Sequence, residues 1–469
     1  MKQVRLTGIA LFTLLFILAV YWYKERVLYI DSAYYAFNLF NNGYPAAEHN
    51  RYALFLYQLI PWGLFEMGAS VPITLRVYSV CHILLHALAF ILLIRMKQPR
   101  LAALLLVMQV IGYRECFFLT VNETALAISA TTLLAGLLNL RADENRWSFT
   151  DNMLSALCIL IALFSHPMAM VLLPFVIGFH FIRQVKNTTV RKQSWQLIAT
   201  MAALLILKKL ISNSSGYEDD LYAQLHQTWH IITHLTDIYS FKFFTGEFKL
   251  QGAFFRIYWM PTALFLLSLW LIIAKKDWKV LAYQLLSSIG LWLLIIILFN
   301  RGDGTIFMEK NFTPWIFVAL YPLAFYINIS DVKLPWATLA SVVLIYVVAL
   351  AGIFNVSNMY SKRLYLMDQL ITQKAAGHSK LLIQDSTVNH DEWLGIWALP
   401  YETLLLSKVK SIPNVSARIY KNDASINKEL YRTDIFLGAD FIPVLPANYL
   451  LNQKVFPLKE ETYYIIEKP

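Results

Sequence analysis

The sequence predicts an all-α polytopic membrane protein of about eleven transmembrane helices with a small C-terminal extracytoplasmic α/β domain. Three observations lead there. Of 469 residues, 58% are hydrophobic and 15% charged, more apolar surface than a soluble domain can hide. Apolar runs of about 17–20 residues recur along the chain, the length that crosses a bilayer. Lys and Arg collect at alternate ends of those runs, which orients them with their basic loops inside. The net charge of +10 is therefore loop bias. No basic patch interleaved with aromatics points to nucleic acid.

Taken in order, Lys2 and Arg5 precede an apolar run over 6–23 and place the N-terminus in the cytoplasm. The run has the basic start of a signal peptide. It has no small-residue cleavage site and leads into Tyr21, Trp22 and Tyr23, so it reads as an uncleaved signal-anchor. A polar, aromatic stretch, 29–62, follows on the outer side and opens with a single acid, Asp31. The second span, 71–94, returns to Arg95, Lys97 and Arg100; the third, 101–112, is short and ends at Tyr113-Arg114-Glu115. The fourth begins at Asn122-Glu123 and ends near Leu140, before Arg141 and Arg146. The stretch 152–182 is broken by Ser165-His166-Pro167, because Pro cannot continue the helical ladder; it predicts two short helices with His166 at their outer tip. Further spans are predicted over 195–211, 257–274, 280–299, 312–327 and 336–354. Lys208 and Lys209, near the outer end of the first of these, must snorkel or meet an anion. An odd number of spans leaves everything after 355 outside. The chain thus divides into a membrane domain, 1–355, and an extracytoplasmic domain, 356–469, with strands expected at Leu381-Leu382-Ile383 and Tyr463-Tyr464-Ile465-Ile466. No internal repeat of broken helices, the mark of many transporters, is present. Cys81, Cys116 and Cys158 lie in or beside apolar segments without metal spacing and are expected in the core.

The polar clusters share the outer side: Asp31, Glu48-His49-Asn50-Arg51, Arg114-Glu115, Asn122-Glu123, His166, the loop from Tyr217 to His234, and Arg301 through Lys310, which includes Asp303 and Glu309. A mere scaffold does not need acids and bases gathered this way, although outer loops are polar in any case. Asp31 can serve as a general base or hold a divalent metal ion; the competing role is capping the next helix. Glu48 and His49 can assist it, or form a solvated turn after Gly43-Tyr44-Pro45. Arg51, Arg114, Arg301 and Lys310 suit a phosphate, or anchor the chain at the interface. Glu123 is a second catalytic or metal-ligand candidate, and as a helix-opening acid it also complements the helix dipole. His226, His230 and His234, four apart, fit an interfacial helix better than a metal ladder.

These residues resemble the first outer loop of the GT-C superfamily of integral-membrane glycosyltransferases, to which protein O-mannosyltransferases and lipid A aminoarabinose transferases belong. In that pattern an acid follows the first span, then a G-x-x-x-P turn, then a K-P-P-L stretch. Here Asp31 matches the acid, Gly43 to Pro45 the turn, and Asn50-Arg51-Tyr52-Ala53-Leu54 the last slot, without its prolines. Asn122-Glu123 matches the acid that family members often carry at the fourth span. Met308-Glu309-Lys310-Asn311-Phe312-Thr313-Pro314 resembles the E-R-Y-x-x-P run that opens a late span. The chain departs from the pattern in having one acid after the first span where many members have two, and no D-x-D in the second outer loop.

The resemblance implies an inverting transferase acting on the outer face of a membrane, most simply the bacterial inner membrane. Its donor would be a polyprenyl-phosphate-linked sugar and its acceptor a lipid, glycan or protein. Asp31 would act on the acceptor hydroxyl, with Glu48, His49 and Glu123 in support. Arg51, Arg114, His166, Arg301, Asp303, Glu309 and Lys310 would line the substrate site, with or without a divalent metal at Asp31 and Glu123. The competing classes are a polymerase or ligase of lipid-linked saccharides, a flippase or transporter of them, and an inactive subunit of GT-C type.

Overall fold

A computed structural model describes residues 2–111, 114–144, 147–184, 186–211, 258–298, 305–327, 335–420 and 429–466. The described chain is mostly helical. It opens with α1 (Lys2–Tyr21), a short α2 (Tyr23–Val27), α3 (Ile30–Asn42), α4 (Phe55–Glu66), α5 (Val71–Arg95) and α6 (Pro99–Ile111). Then come α7 (Glu123–Glu144), α8 (Phe149–Leu163), α9 (Ala169–Arg183) and α10 (Thr188–Ile211). Helices Trp259–Ala274, Trp278–Leu298, Thr305–Leu320 and Pro335–Gln369 complete the bundle.

Among the described residues, six helices are long and apolar enough to cross a membrane: Lys2–Tyr21, Val71–Arg95, Glu123–Ala142, Thr188–Ile211, Trp278–Ile295 and Val343–Lys374. Four shorter ones, Pro99–Ile111, Phe149–Leu163, Ala169–Arg183 and Trp259–Ala274, are equally apolar. Leu6, Ile9 and Ile17 on α1, Leu88 on α5 and Leu210 on α10 stand exposed on the outside of the bundle. A helix apolar all round belongs in lipid or in a core. The chain therefore has the character of an integral membrane protein.

Local chemistry explains where the helices stop. Ser148 and Asp151 form a reciprocal capping box that starts α8. The Asn122 side chain accepts the Ala125 amide (3.0 Å) at the start of α7. Gly43, at φ 74°, takes the left-handed turn that ends α3. The break at Ser165-His166-Pro167 separates α8 from α9 as expected. α1 and α5 meet at Gly8, where a Cβ would lie 2.1 Å from the Phe90 ring, so only glycine allows that approach.

Helix Pro335–Gln369 runs unbroken past position 355, where the sequence divides the chain. Beyond it stands a small three-stranded parallel sheet in the order β2–β1–β5, made of β1 (Lys380–Gln384), β2 (Ser416–Tyr420) and β5 (Tyr464–Ile466). Leu381 pairs with both Ala417 and Tyr464. Helix Leu399–Lys410 connects β1 to β2, as parallel pairing requires a crossover. A two-stranded antiparallel pair joins β3 (Ile435–Phe436) to β4 (Leu445–Pro446). The same region packs on α3: the Phe37 ring lies 4.7 Å from Tyr401 and 5.1 Å from Phe456. α3 is thus enclosed between the helical bundle and the sheet-bearing region.

Candidate functional site

The site is built around the first turn of α3. Tyr29, not Asp31, stands at the N-cap position of this helix, without a side-chain cap bond, and Asp31 lies inside its first turn. The capping role considered for Asp31 is therefore corrected: its carboxylate faces Lys310, at 3.7 Å. Lys310 also pairs closely with Glu123, and Glu123 closely with Arg51. Two carboxylates and two cations from four separate stretches of chain meet here. Glu123 arrives at the head of α7 and Lys310 on helix Thr305–Leu320. Arg51 is brought back by a turn in which His49 (φ 51°) and Asn50 (φ 56°) are both left-handed, a conformation uncommon for residues with a Cβ.

The four charges are not equally enclosed. The side chains of Glu123 and Lys310 are 2% and 8% exposed, whereas that of Asp31 is 22% exposed. Asp31 is the member that reaches outward. Burial pushes its carboxyl above the usual carboxylate range; Lys310 opposes that rise, and the Glu123 charge adds to it. His49 is half-buried and feels Arg51, Glu123 and Lys310. Burial first, and the Arg51 charge second, push its imidazole below the ordinary histidine value. His166, in the turn between α8 and α9, lies within electrostatic reach of the same three groups, and its Nδ1 accepts the Met168 amide (3.2 Å).

The other predicted residues fall in different places. Glu48 is half-buried against the Tyr34 hydroxyl, one turn along α3 from Asp31, and burial raises its carboxyl. Arg114 meets Glu115 at 3.6 Å. The two carboxylate oxygens of Glu309 accept the amides of Glu115 (3.1 Å) and Cys116 (2.9 Å), at the start of the turn Cys116–Phe118. Arg301, Asp303, His226, His230 and His234 lie outside the described residues. For a metal, no group of three or more His, Cys, Asp or Glu is placed to hold one among the described residues. The two candidate ligands, Asp31 and Glu123, share Lys310 instead. Cys81, Cys116 and Cys158 are buried, and none forms a disulfide among the described residues.

Three features of this region were not anticipated. The Ser32 hydroxyl accepts the Thr120 amide (2.9 Å), tying α3 to the segment that leads into Glu123. A fully buried pair, Arg363 and Glu402, stands just before α3. His82 and His86, four apart on α5, are buried together with ring centroids 4.7 Å apart, and His86 bonds Ser129 at 2.7 Å. Two histidines one turn apart in an apolar span are a readable signal; the Arg363–Glu402 pair has none, since its members are 39 residues apart. No family model, curated protein or solved structure matches this chain.

Proposed function

We propose that the protein is an integral-membrane glycosyltransferase of GT-C type. It would transfer a sugar from a polyprenyl-phosphate-linked donor to a lipid, glycan or protein acceptor on the extracytoplasmic face, with inversion at the anomeric carbon. In this reading about eleven helices span a bacterial inner membrane, the N-terminus is inside, and the sheet-bearing C-terminal region is outside.

One observation carries the reading. The three short motifs behind the resemblance, Asp31 after the first span, Glu123 at the head of α7 and Lys310 near a late helix start, meet in one charged cluster. Such a meeting is expected of a shared site and not of three unrelated interfacial anchors.

The chemistry follows from the charges. Asp31, the outward-reaching carboxylate, takes the proton of the acceptor hydroxyl. The acceptor oxygen forms the new bond to the anomeric carbon. The old carbon–oxygen bond breaks and its electron pair leaves on the lipid phosphate. Before the reaction, Asp31 and Glu123 balance Arg51 and Lys310. Once Asp31 is protonated, the cluster carries one excess positive charge just as the phosphate becomes more negative. Lys310, no longer shared with a charged Asp31, is the group placed to stabilise it. His49 and His166 line the same cluster as neutral polar groups at neutral pH.

Purified Asp31→Asn protein in lipid, supplied with a polyprenyl-phosphate sugar, should transfer at least about a hundredfold more slowly while inserting and folding as the parent does. Parental activity would sink the assignment. A transporter reading has one observation in its favour, the buried His82–His86–Ser129 group inside α5 and α7, since ionisable groups within spans often mark a pathway. Movement of lipid-linked sugar between leaflets without transfer, lost in His86→Ala, would favour it.

A further inference from the structure

Ile30 has φ 34°, a left-handed backbone that a β-branched residue adopts only when its surroundings impose it. The surroundings are on the page. The Ile30 amide donates to Glu402 Oε1 at 2.7 Å. The other carboxylate oxygen of Glu402 takes the Arg363 guanidinium. Arg363 in turn donates to the carbonyls of Leu28 (3.1 Å), Trp393 (2.6 Å) and Gly395 (3.1 Å). The Tyr29 hydroxyl donates to the Leu394 carbonyl (2.8 Å). Gly395, itself at φ 111°, leaves room for Ile30: a Cβ there would stand 3.1 Å from Ile30 Cγ2. Three consecutive residues, Leu28, Tyr29 and Ile30, are therefore held by the C-terminal segment, and the next residue is Asp31.

We propose that Glu402 is a positioning residue for Asp31: tied to Arg363, it holds the Ile30 amide in the left-handed region and so sets the direction in which the Asp31 carboxylate leaves the first turn of α3. The proposal rests on the reading of Asp31 as the working carboxylate. It makes the C-terminal region part of the site, although none of its own side chains bonds the charged cluster among the described residues. The alternative is that Arg363 and Glu402 only hold two parts of the fold together. Positioning differs from that in one consequence. Glycine occupies positive φ without being forced, so Ile30→Gly should make the tie dispensable for Asp31 while doing nothing to replace it as an inter-element bond.

The test uses the full chain in lipid nanodiscs and a water-soluble carbodiimide with glycinamide, reading Asp31 modification by mass spectrometry. Glu402→Asp keeps a carboxylate for Arg363 but is one methylene too short to reach both partners. It should change the rate of Asp31 labelling on the order of tenfold, the scale set by releasing one strained residue. Adding Ile30→Gly should bring the rate back toward the parent's. In the transfer assay the same pair of variants should lower and then restore kcat with little change in KM for the donor. Unchanged labelling in Glu402→Asp, or no recovery with Ile30→Gly, would overturn the proposal.

Should Glu402→Asp fail to fold, the double replacement Arg363→Met with Glu402→Met removes the tie without stranding a buried charge and is read the same way. In the parent protein, hydrogen exchange at the Ile30 amide must be slow; exchange at the rate of an open loop also overturns it. If labelling responds as expected but no variant, nor the parent, transfers sugar, the positioning stands and the catalytic reading of Asp31 falls.

Discussion

Two ionic assemblies hold the start of α3, and they are built differently. The Arg363–Glu402 pair is sealed, at 2% and 0% side-chain exposure, and both carboxylate oxygens are in use. Arg363 gives its remaining donors to three carbonyls and to the Met367 sulfur. The Asp31 group is looser at its outward end. Lys310 approaches Asp31 at 3.7 Å, beyond ordinary hydrogen-bond length, while its tight pairing is with the deeper Glu123. On the proposed function, a carboxylate that accepts a proton needs unused acceptor capacity; among the described residues Asp31 is approached by Lys310 at 3.7 Å, whereas both oxygens of Glu402 hold close bonds. On that reading, the difference separates an acid that holds structure from the acid that reacts.

The largest effect that can break this comparison is at Asp31. Asp31→Asn should lower sugar transfer by about 10²–10⁴-fold, the range of a general base, with thermal unfolding nearly unchanged because the residue is partly exposed and loosely paired. A large loss of stability would place Asp31 with Glu402 as a structural acid. Arg363→Ala should do the reverse. It strands a buried carboxylate and should cost about 3–5 kcal/mol of stability, as the loss of one partner from a buried pair does, measured by denaturant unfolding in detergent. Arg363→Met with Glu402→Met should recover most of that loss.

The two assemblies also differ in how far they could be read from the chain. Asp31, Glu123 and Lys310 stand next to apolar runs, where an acid or base is conspicuous, and all three meet. Glu309 stands beside Lys310 in the sequence, yet successive residues on a helix are about 100° apart, so the two side chains serve different neighbours. Arg363 lies in the polar run Ser361-Lys362-Arg363, beyond position 355, where the sequence begins the extracytoplasmic domain. It lies within helix Pro335–Gln369, which continues past the apolar stretch, and there it bonds Glu402, 39 residues on, and Leu28, 335 residues back. The break at Pro167 and the sheet strands at Leu381–Ile383 and Tyr464–Ile466 are legible because proline and short apolar runs act locally. Long-range ties leave no such local mark.

A smaller effect sharpens the electrostatic side. Burial raises the Asp31 carboxyl and Lys310 holds that rise back. The base form fills as pH increases through the folded-state value, so transfer should climb with pH along an acid limb. Removing the opposing cation in Lys310→Ala raises the carboxyl further and should move that limb to higher pH, alongside a fall in the maximal rate. A limb that stays in place would mean that Asp31 does not control it. One that moves to lower pH would mean that Lys310 acts on another group.

The smallest effect separates holding a helix from tuning a charge. Asn122 caps α7 through the Ala125 amide, and its carbonyl accepts the Tyr57 hydroxyl at 3.0 Å, so it fixes the place where Glu123 enters the cluster. Asn122→Ala should cost about 1 kcal/mol of stability, as the loss of a helix cap does. The Tyr57 bond, being made to backbone, should survive. Because Glu123 is held independently by Arg51 and Lys310, the acid limb of the pH profile should not move in Asn122→Ala. If it moves as in Lys310→Ala, the cluster depends on the helix cap for its geometry, and the Asp31 group is more rigidly built than its loose outer contact implies.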